Sequence, residues 1–147
     1  MIQLSVTVPL APRDAFDLFT TRITEWWPLD KGHSLSADRA ASCAIEPFAG
    51  GRVFERSLDG EEHVWGEVLA YEPPHRVAMT WHPGGGPATE VEVRFTPADD
   101  GTFVELEHRG WEVFGEQAEE ARLGYLQGWP FVFGERFRSA AAKAAAF

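Results

Sequence analysis

Val91-Glu92-Val93-Arg94-Phe95, then Asp99-Asp100-Gly101, then Val104-Glu105-Leu106-Glu107-His108-Arg109 decide the fold. Both flanks alternate apolar with mostly charged side chains, the period-two pattern of a half-buried strand, and Asp-Asp-Gly supplies the turn between them. The pair reads as an antiparallel hairpin with one apolar and one charged face, so its sheet has one wet side. Working outward, residues 41–111 make an antiparallel meander, with strands expected at 42–47, 52–58, 62–71, 75–82, 89–96 and 102–109. Gly50-Gly51, Asp59-Gly60, Pro73-Pro74 and Gly84-Gly85-Gly86-Pro87 punctuate it.

Upstream, Ile2, Leu4, Val6 and Val8 alternate with Gln3, Ser5 and Thr7 in a further strand that Pro9 ends. Pro12 is tolerable in the first turn of a helix whose apolar face is Ala15, Phe16, Leu18 and Phe19. A second short helix is expected from Thr21 to Trp26, stopped by Pro28, and residues 29–40 read as a polar loop. Past Gly115 the spacing turns helical: Tyr125, Trp129, Val132, Phe133 and Phe137 share a broad face, and residues 140–146 are almost all Ala, the strongest helix former. The helix is expected from about Gly115 to Ala145. Pro130 predicts a kink between Leu126 and Phe131, because it lacks an amide donor and its ring crowds the preceding turn. The order β-α-α-β6-α gives an α+β, helix-grip fold: a curved antiparallel sheet wrapped around a long C-terminal α-helix, with residues 1–147 in one domain.

Composition excludes several classes of function. A net charge of −10, with only Lys31 and Lys143 as lysines, argues against binding a nucleic-acid phosphate backbone. Cys43 is the only cysteine, so no disulfide forms within the chain. The N-terminus has neither a basic leader nor an apolar run of membrane length, and the expected compartment is the cytoplasm. His33, His63, His75 and His82 lack metal-ligand spacing and read as turn and surface residues; no metal and no cofactor is expected. Cys43 has no nearby His and no Ser sits in a nucleophile elbow, so nucleophilic catalysis has no support. Glu90, Glu92, Glu105 and Glu107 should form a solvated face with Arg94 and Arg109.

Phe16-Asp17-Leu18-Phe19-Thr20, Trp26-Trp27-Pro28, Gly50-Gly51-Arg52, Trp65-Gly66-Glu67-Val68, Pro73-Pro74, Thr80-Trp81, His108-Arg109-Gly110-Trp111 and Tyr125-Leu126-Gln127-Gly128-Trp129-Pro130 carry a family resemblance across nearly the whole chain. The sequence resembles the SRPBCC (START-like) superfamily. Within it, it is most similar to single-domain homologues of the C-terminal domain of the heat-shock chaperone ATPase activator. That superfamily includes lipid carriers, allergen-like binders, polyketide cyclases and co-chaperone domains, and a shared fold does not select among them.

The chain holds 11 Phe and 6 Trp, more large rings than an ordinary aliphatic core needs, and flat rings are what line a cavity for an apolar ligand. Strand and helix periodicity turn Trp27, Trp81, Val93, His108, Tyr125, Trp129 and Phe133 toward one hollow between sheet and helix. Each Trp also has the simpler reading of a core filler, and His108 that of a hydrogen-bonded core residue. The first reading of function is binding of an apolar small molecule, lipid-like or aromatic, without catalysis. The alternatives are a co-chaperone acting on a heat-shock chaperone ATPase, and a polyketide cyclase-like or aromatase-like enzyme. The resemblance also implies that the co-chaperone reading lacks the separate N-terminal domain of the eukaryotic activators. For the enzyme reading, His108, Tyr125 and Arg52 are the polar residues to test.

Overall fold

The structure is a computed structural model and describes residues 1–146. Its strands are β1 (Ile2–Val8), β2 (Ala40–Ile45), β3 (Arg52–Ser57), β4 (Glu62–Glu72), β5 (Arg76–Trp81), β6 (Thr89–Ala98) and β7 (Gly101–Arg109). They form one antiparallel sheet in the order β1-β7-β6-β5-β4-β3-β2, so the chain's first strand closes against its last. The hairpin that decides the fold sets the register: Val91 faces His108, Val93 faces Leu106 and Phe95 faces Val104. On the other side of β7, Ile2, Leu4 and Val6 meet His108, Leu106 and Val104. All these residues point to the concave face. Irregularities at Val53/Phe54 and Val68/Ala70 curl the sheet. β4 and β5 approach so closely that a Cβ on Gly66 would lie 1.8 Å from the Thr80 carbonyl oxygen, a spacing only glycine permits.

The convex face departs from expectation at one residue. Glu92 is only 3% exposed, because Arg76, Arg94 and Arg109 reach over it from three strands at 2.8, 3.2 and 2.9 Å. Burial alone would raise its carboxyl, and the bonds from Arg109 and Arg76 more than reverse that, holding it below the usual range. Alternation along one strand showed the side to which Glu92 points. It did not show that the neighbouring strands put arginines over it.

α1 (Pro12–Phe19) buries Ala15, Phe16, Leu18 and Phe19 against β6 and β7. The expected second helix shrinks to one 3₁₀ turn, Ile23–Glu25, after which Trp26 and Trp27 are buried. At the C-terminus a 3₁₀ stretch, Trp111–Gln117, is interrupted at Gly115 by a left-handed φ of 58°, and the α-helix starts only after it. α2 (Ala118–Trp129) runs into a π-helical segment, Pro130–Phe137, and then α3 (Arg138–Ala145). Pro130 therefore does interrupt the α-helical bonding, though not as a sharp break. Trp129 and Pro130 keep helical angles, and the helix accommodates the missing donor by widening its hydrogen-bond pitch.

This segmentation positions the site. The π segment and α3 bury Val132, Phe133, Phe137 and Ala141, and Phe133 and Phe137 stack at 5.6 Å beneath Phe19 and Trp26. There the concave face is solid core. α2 buries only Trp129, because its inward face carries Ala121, Gly124 and Gly128, which are too small to fill the gap to the sheet. Among the described residues, no helix is long and apolar enough to cross a membrane.

Candidate functional site

Where α2 stands off, a cavity of about 580 Å³ opens. One helix face lines it at helical spacing: Gln117, Glu120 and Ala121, then Gly124 and Tyr125, then Gly128, Trp129 and Val132. Opposite stand Trp27, His33, Trp81 and Phe114. A smaller extension of about 200 Å³ shares Trp27, His33, Trp81 and Tyr125 and runs under the segment 32–35 to Trp65 and Pro83. The walls are an aromatic box. Trp27 lies 5.7 Å from Trp81 and 6.0 Å from Trp129, and Trp81 lies 5.7 Å from Trp129, centroid to centroid.

Of the residues expected in one hollow, Trp27, Trp81, Tyr125 and Trp129 border this cavity. Val93 and Phe133 lie fully buried in the solid core below it. His108 is also fully buried, behind the wall rather than on it. His33, read from sequence as a turn or surface residue, instead borders the cavity, since Trp27 Nε1 donates to its carbonyl at 2.9 Å and pins the loop there. Arg52 is exposed on the far side of the sheet, paired with Glu46 and Glu62.

The hydrogen bonds of His108 define its chemical state. Trp129 Nε1 is only a donor and gives its proton to His108 Nδ1 at 2.9 Å. Nδ1 is therefore unprotonated and the proton sits on Nε2, which faces Thr89 Oγ1 at 2.7 Å. The Thr89 hydroxyl in turn donates to the Trp81 carbonyl at 3.0 Å. Every position of the neutral imidazole is used, and burial pushes its pKa down to about 3. His108 also accepts the Trp111 indole N–H on its carbonyl at 3.0 Å. It thus holds two tryptophans in place and has no free nitrogen for a substrate.

The second anchor is Glu55, fully buried on β3. Its carboxylate accepts from the hydroxyls of Ser34 and Ser36, the backbone amides of Leu35 and Ser36, and Trp65 Nε1 at 2.8 Å. Burial works to raise this carboxyl, and the bonds from Ser34, Leu35, Ser36 and Trp65 outweigh it, leaving it below the usual range. The segment 33–36 is thereby strapped over the cavity extension. Sequence reading missed Glu55; its only signal was a charge between Phe54 and Arg56 on a strand whose other inward neighbours are apolar.

The remaining polar groups are modest. Burial pushes the Tyr125 phenol up and the His33 imidazole down. Cys43 is buried away from the cavity and its thiol is pushed up to about 12, by burial and then by Glu55, so it stays an unreactive thiol. Among the described residues no three His, Cys, Asp or Glu side chains are grouped to hold a metal ion.

A curled antiparallel sheet clasping a C-terminal helix, with an aromatic cavity where that helix stands off, defines a helix-grip domain of the SRPBCC superfamily. The chain belongs to the activator of Hsp90 ATPase homolog 1-like family, whose model matches residues 9–141. No curated protein matches it. Among solved structures it is similar to MLL2253 from Mesorhizobium loti, at 22% identity over 94% of this chain and 93% of that one, with a TM-score of 0.68. It also resembles NE0264 from Nitrosomonas europaea, at 15% identity over 99% and 96%, with a TM-score of 0.70. These two show the fold alone. At 40% identity it is similar to an anthrahydroquino-γ-pyrone synthase, Txn09, complexed with SUM; the match covers 81% of this chain and 82% of that one, with a TM-score of 0.56.

Proposed function

We propose that the chain binds a flat, largely apolar small molecule in the cavity beside α2. The observation that carries this is the cavity itself: about 580 Å³, walled by Trp27, Trp81, Trp129, Tyr125 and Phe114, within the size range of small-molecule sites. Gly124 and Gly128 fit the same reading. Glycine weakens a helix interior by about 1 kcal/mol relative to alanine, yet both sit on the helix face that borders the space.

A specific observation favours a second reading, in which the same cavity is a reaction chamber. The 40% identical Txn09 is named a synthase of an anthrahydroquino-γ-pyrone. An aromatic box can hold a polycyclic precursor in one folded geometry and gain rate from orientation rather than from a strong acid or base. His108 cannot be that base, because both its nitrogens are occupied. Tyr125, Gln117, Glu120 and His33 are polar side chains that border the space.

Gly124→Leu tests the binding reading. A Cβ built at Gly124 meets no atom within 4 Å, so the larger side chain enters open space rather than a neighbour. The variant should be as stable as the parent or more so, by about 0.5–1 kcal/mol from helix propensity. It should bind anthracenemethanol, a fluorescent tricyclic alcohol, at least about tenfold more weakly, a change of about 1.4 kcal/mol. Unchanged binding in a stably folded variant would place the ligand elsewhere.

A further inference from the structure

The cavity's charges specify the kind of polar group its ligand carries. None of the 13 Lys and Arg residues borders it among the described residues. Two arginines of the C-terminal helix are committed elsewhere: Arg122 pairs with Glu119 at 2.6 Å, and Arg136 sits over the Phe131 ring. The one formally charged side chain on the lining is Glu120, on the exposed rim of α2 and in no ion pair among the described residues. Below it lie Tyr125, Trp129, Trp81 and Trp27, whose ring faces carry negative quadrupole charge. The whole chain adds a net charge of −10.

An anion placed here meets a carboxylate, electron-rich rings and an acidic protein, and the side-chain donors on the lining, the Gln117 amide, the Tyr125 hydroxyl, the Trp81 indole N–H and the His33 ring, carry no formal positive charge. A cation meets attraction from all three. Aromatic boxes attract ammonium groups by the same electrostatics wherever the rings converge within about 6 Å of the charge. We infer that the ligand is a flat aromatic molecule bearing an amine, its rings in the tryptophan box and its ammonium at the mouth beside Glu120. Carboxylate-bearing molecules such as fatty acids are thereby disfavoured. This rests on the binding reading above and adds the ligand's charge to it.

Three probes with one tricyclic body isolate the charge: anthracenemethanol, anthracenemethylamine, which is an ammonium at neutral pH, and anthracenecarboxylate. Affinities are read from tryptophan and anthracene fluorescence. The ammonium should bind about fivefold more tightly than the alcohol, and the carboxylate at least about tenfold more weakly. Glu120→Gln should remove most of the ammonium's advantage over the alcohol. Glu116→Gln makes the same change in net charge at an exposed position off the cavity lining, and should leave all three affinities unchanged. If the carboxylate matches the alcohol, or if Glu120→Gln and Glu116→Gln act alike, the inferred charge preference is wrong while the binding reading stands. If none of the three binds, both fall together.

Discussion

Replacing Glu55 with Ala should cost about 3–5 kcal/mol of folding stability, a large part of what a domain of this size possesses. The cost arises from the groups left behind rather than from the carboxylate. Two backbone amides, two serine hydroxyls and one indole N–H all donate to it. A buried donor left without a partner loses about 1–3 kcal/mol, and the hydroxyls alone can turn to find another. Glu55→Gln should therefore be milder, at about 1–2 kcal/mol. Its carboxamide keeps the volume and one acceptor, and where its NH₂ faces Ser34 and Ser36 the two hydroxyls can rotate to accept. Urea unfolding of both variants decides the matter: a loss below about 1 kcal/mol for the alanine would show that the strap is held by other means. The same variants should weaken anthracenemethanol binding, because Ser34 and Leu35 border the cavity extension. Acid acts on this anchor late. The carboxyl lies below its ordinary value of 4.5, so its contribution is intact above that pH and is lost as pH falls through the lower folded value.

The strands could be read from sequence because each obeys a local rule. Val91-Glu92-Val93 and Val104-Glu105-Leu106 alternate cleanly, and turn residues bound them; all seven expected strands are present within a few residues. The helix was harder to read. Its face could be read from Tyr125, Trp129 and Phe133, but its start depended on Gly115, whose left-handed angle is a tertiary choice that glycine permits without requiring. Likewise Pro130 announced an interruption, but whether a proline kinks a helix or is absorbed into a π segment depends on what packs beneath. Here that is Phe19 and Trp26, against which Phe133 and Phe137 of the π segment are packed.

The site was half legible for a related reason. Periodicity assigns a side chain to a face, and it placed Trp81, Val93 and His108 together on the concave one. It says nothing of depth along that face, which depends on the volume the opposing helix presents. Phe133 and Phe137 fill the hollow at one level and Gly124 and Gly128 leave it open at another, so Val93 ended in the core while Trp81 borders the space. Glu55 escaped because its role is set by contacts across about twenty residues of chain, between β3 and the 33–36 strap, and His33 because its place depends on the Trp27 indole bond to its carbonyl and on the close approach of Gly128 on α2. No local pattern encodes such contacts.

Lowering the pH from 7 to 5 should destabilise the protein by about 2 kcal/mol, with His108 as the main cause. In the unfolded chain its imidazole takes up a proton at the ordinary value of 6.5; in the folded chain burial holds it at about 3. Between those values the unfolded state binds a proton that the folded state refuses. Stability is therefore full above pH 6.5 and falls by at most about 1.4 kcal/mol per unit as pH drops toward 3. His33 is shifted down by burial as well and adds in the same direction. Glu55 and Glu92, whose carboxyls are held below 4.5, do not yet contribute, so the range from 6.5 to 5 belongs to the histidines. His108→Gln isolates the main one. Gln keeps one donor and one acceptor for Thr89 and Trp129 and cannot titrate, so at pH 7 the variant should be weaker by about 1–3 kcal/mol. On acidification the gap to the parent should close by about 1.4 kcal/mol per unit. Parallel stability profiles for the two proteins would mean that the folded imidazole accepts a proton after all. It would then have a nitrogen free of Trp129 and Thr89, and a proton-transfer role for His108 behind the tryptophan wall would have to be reopened.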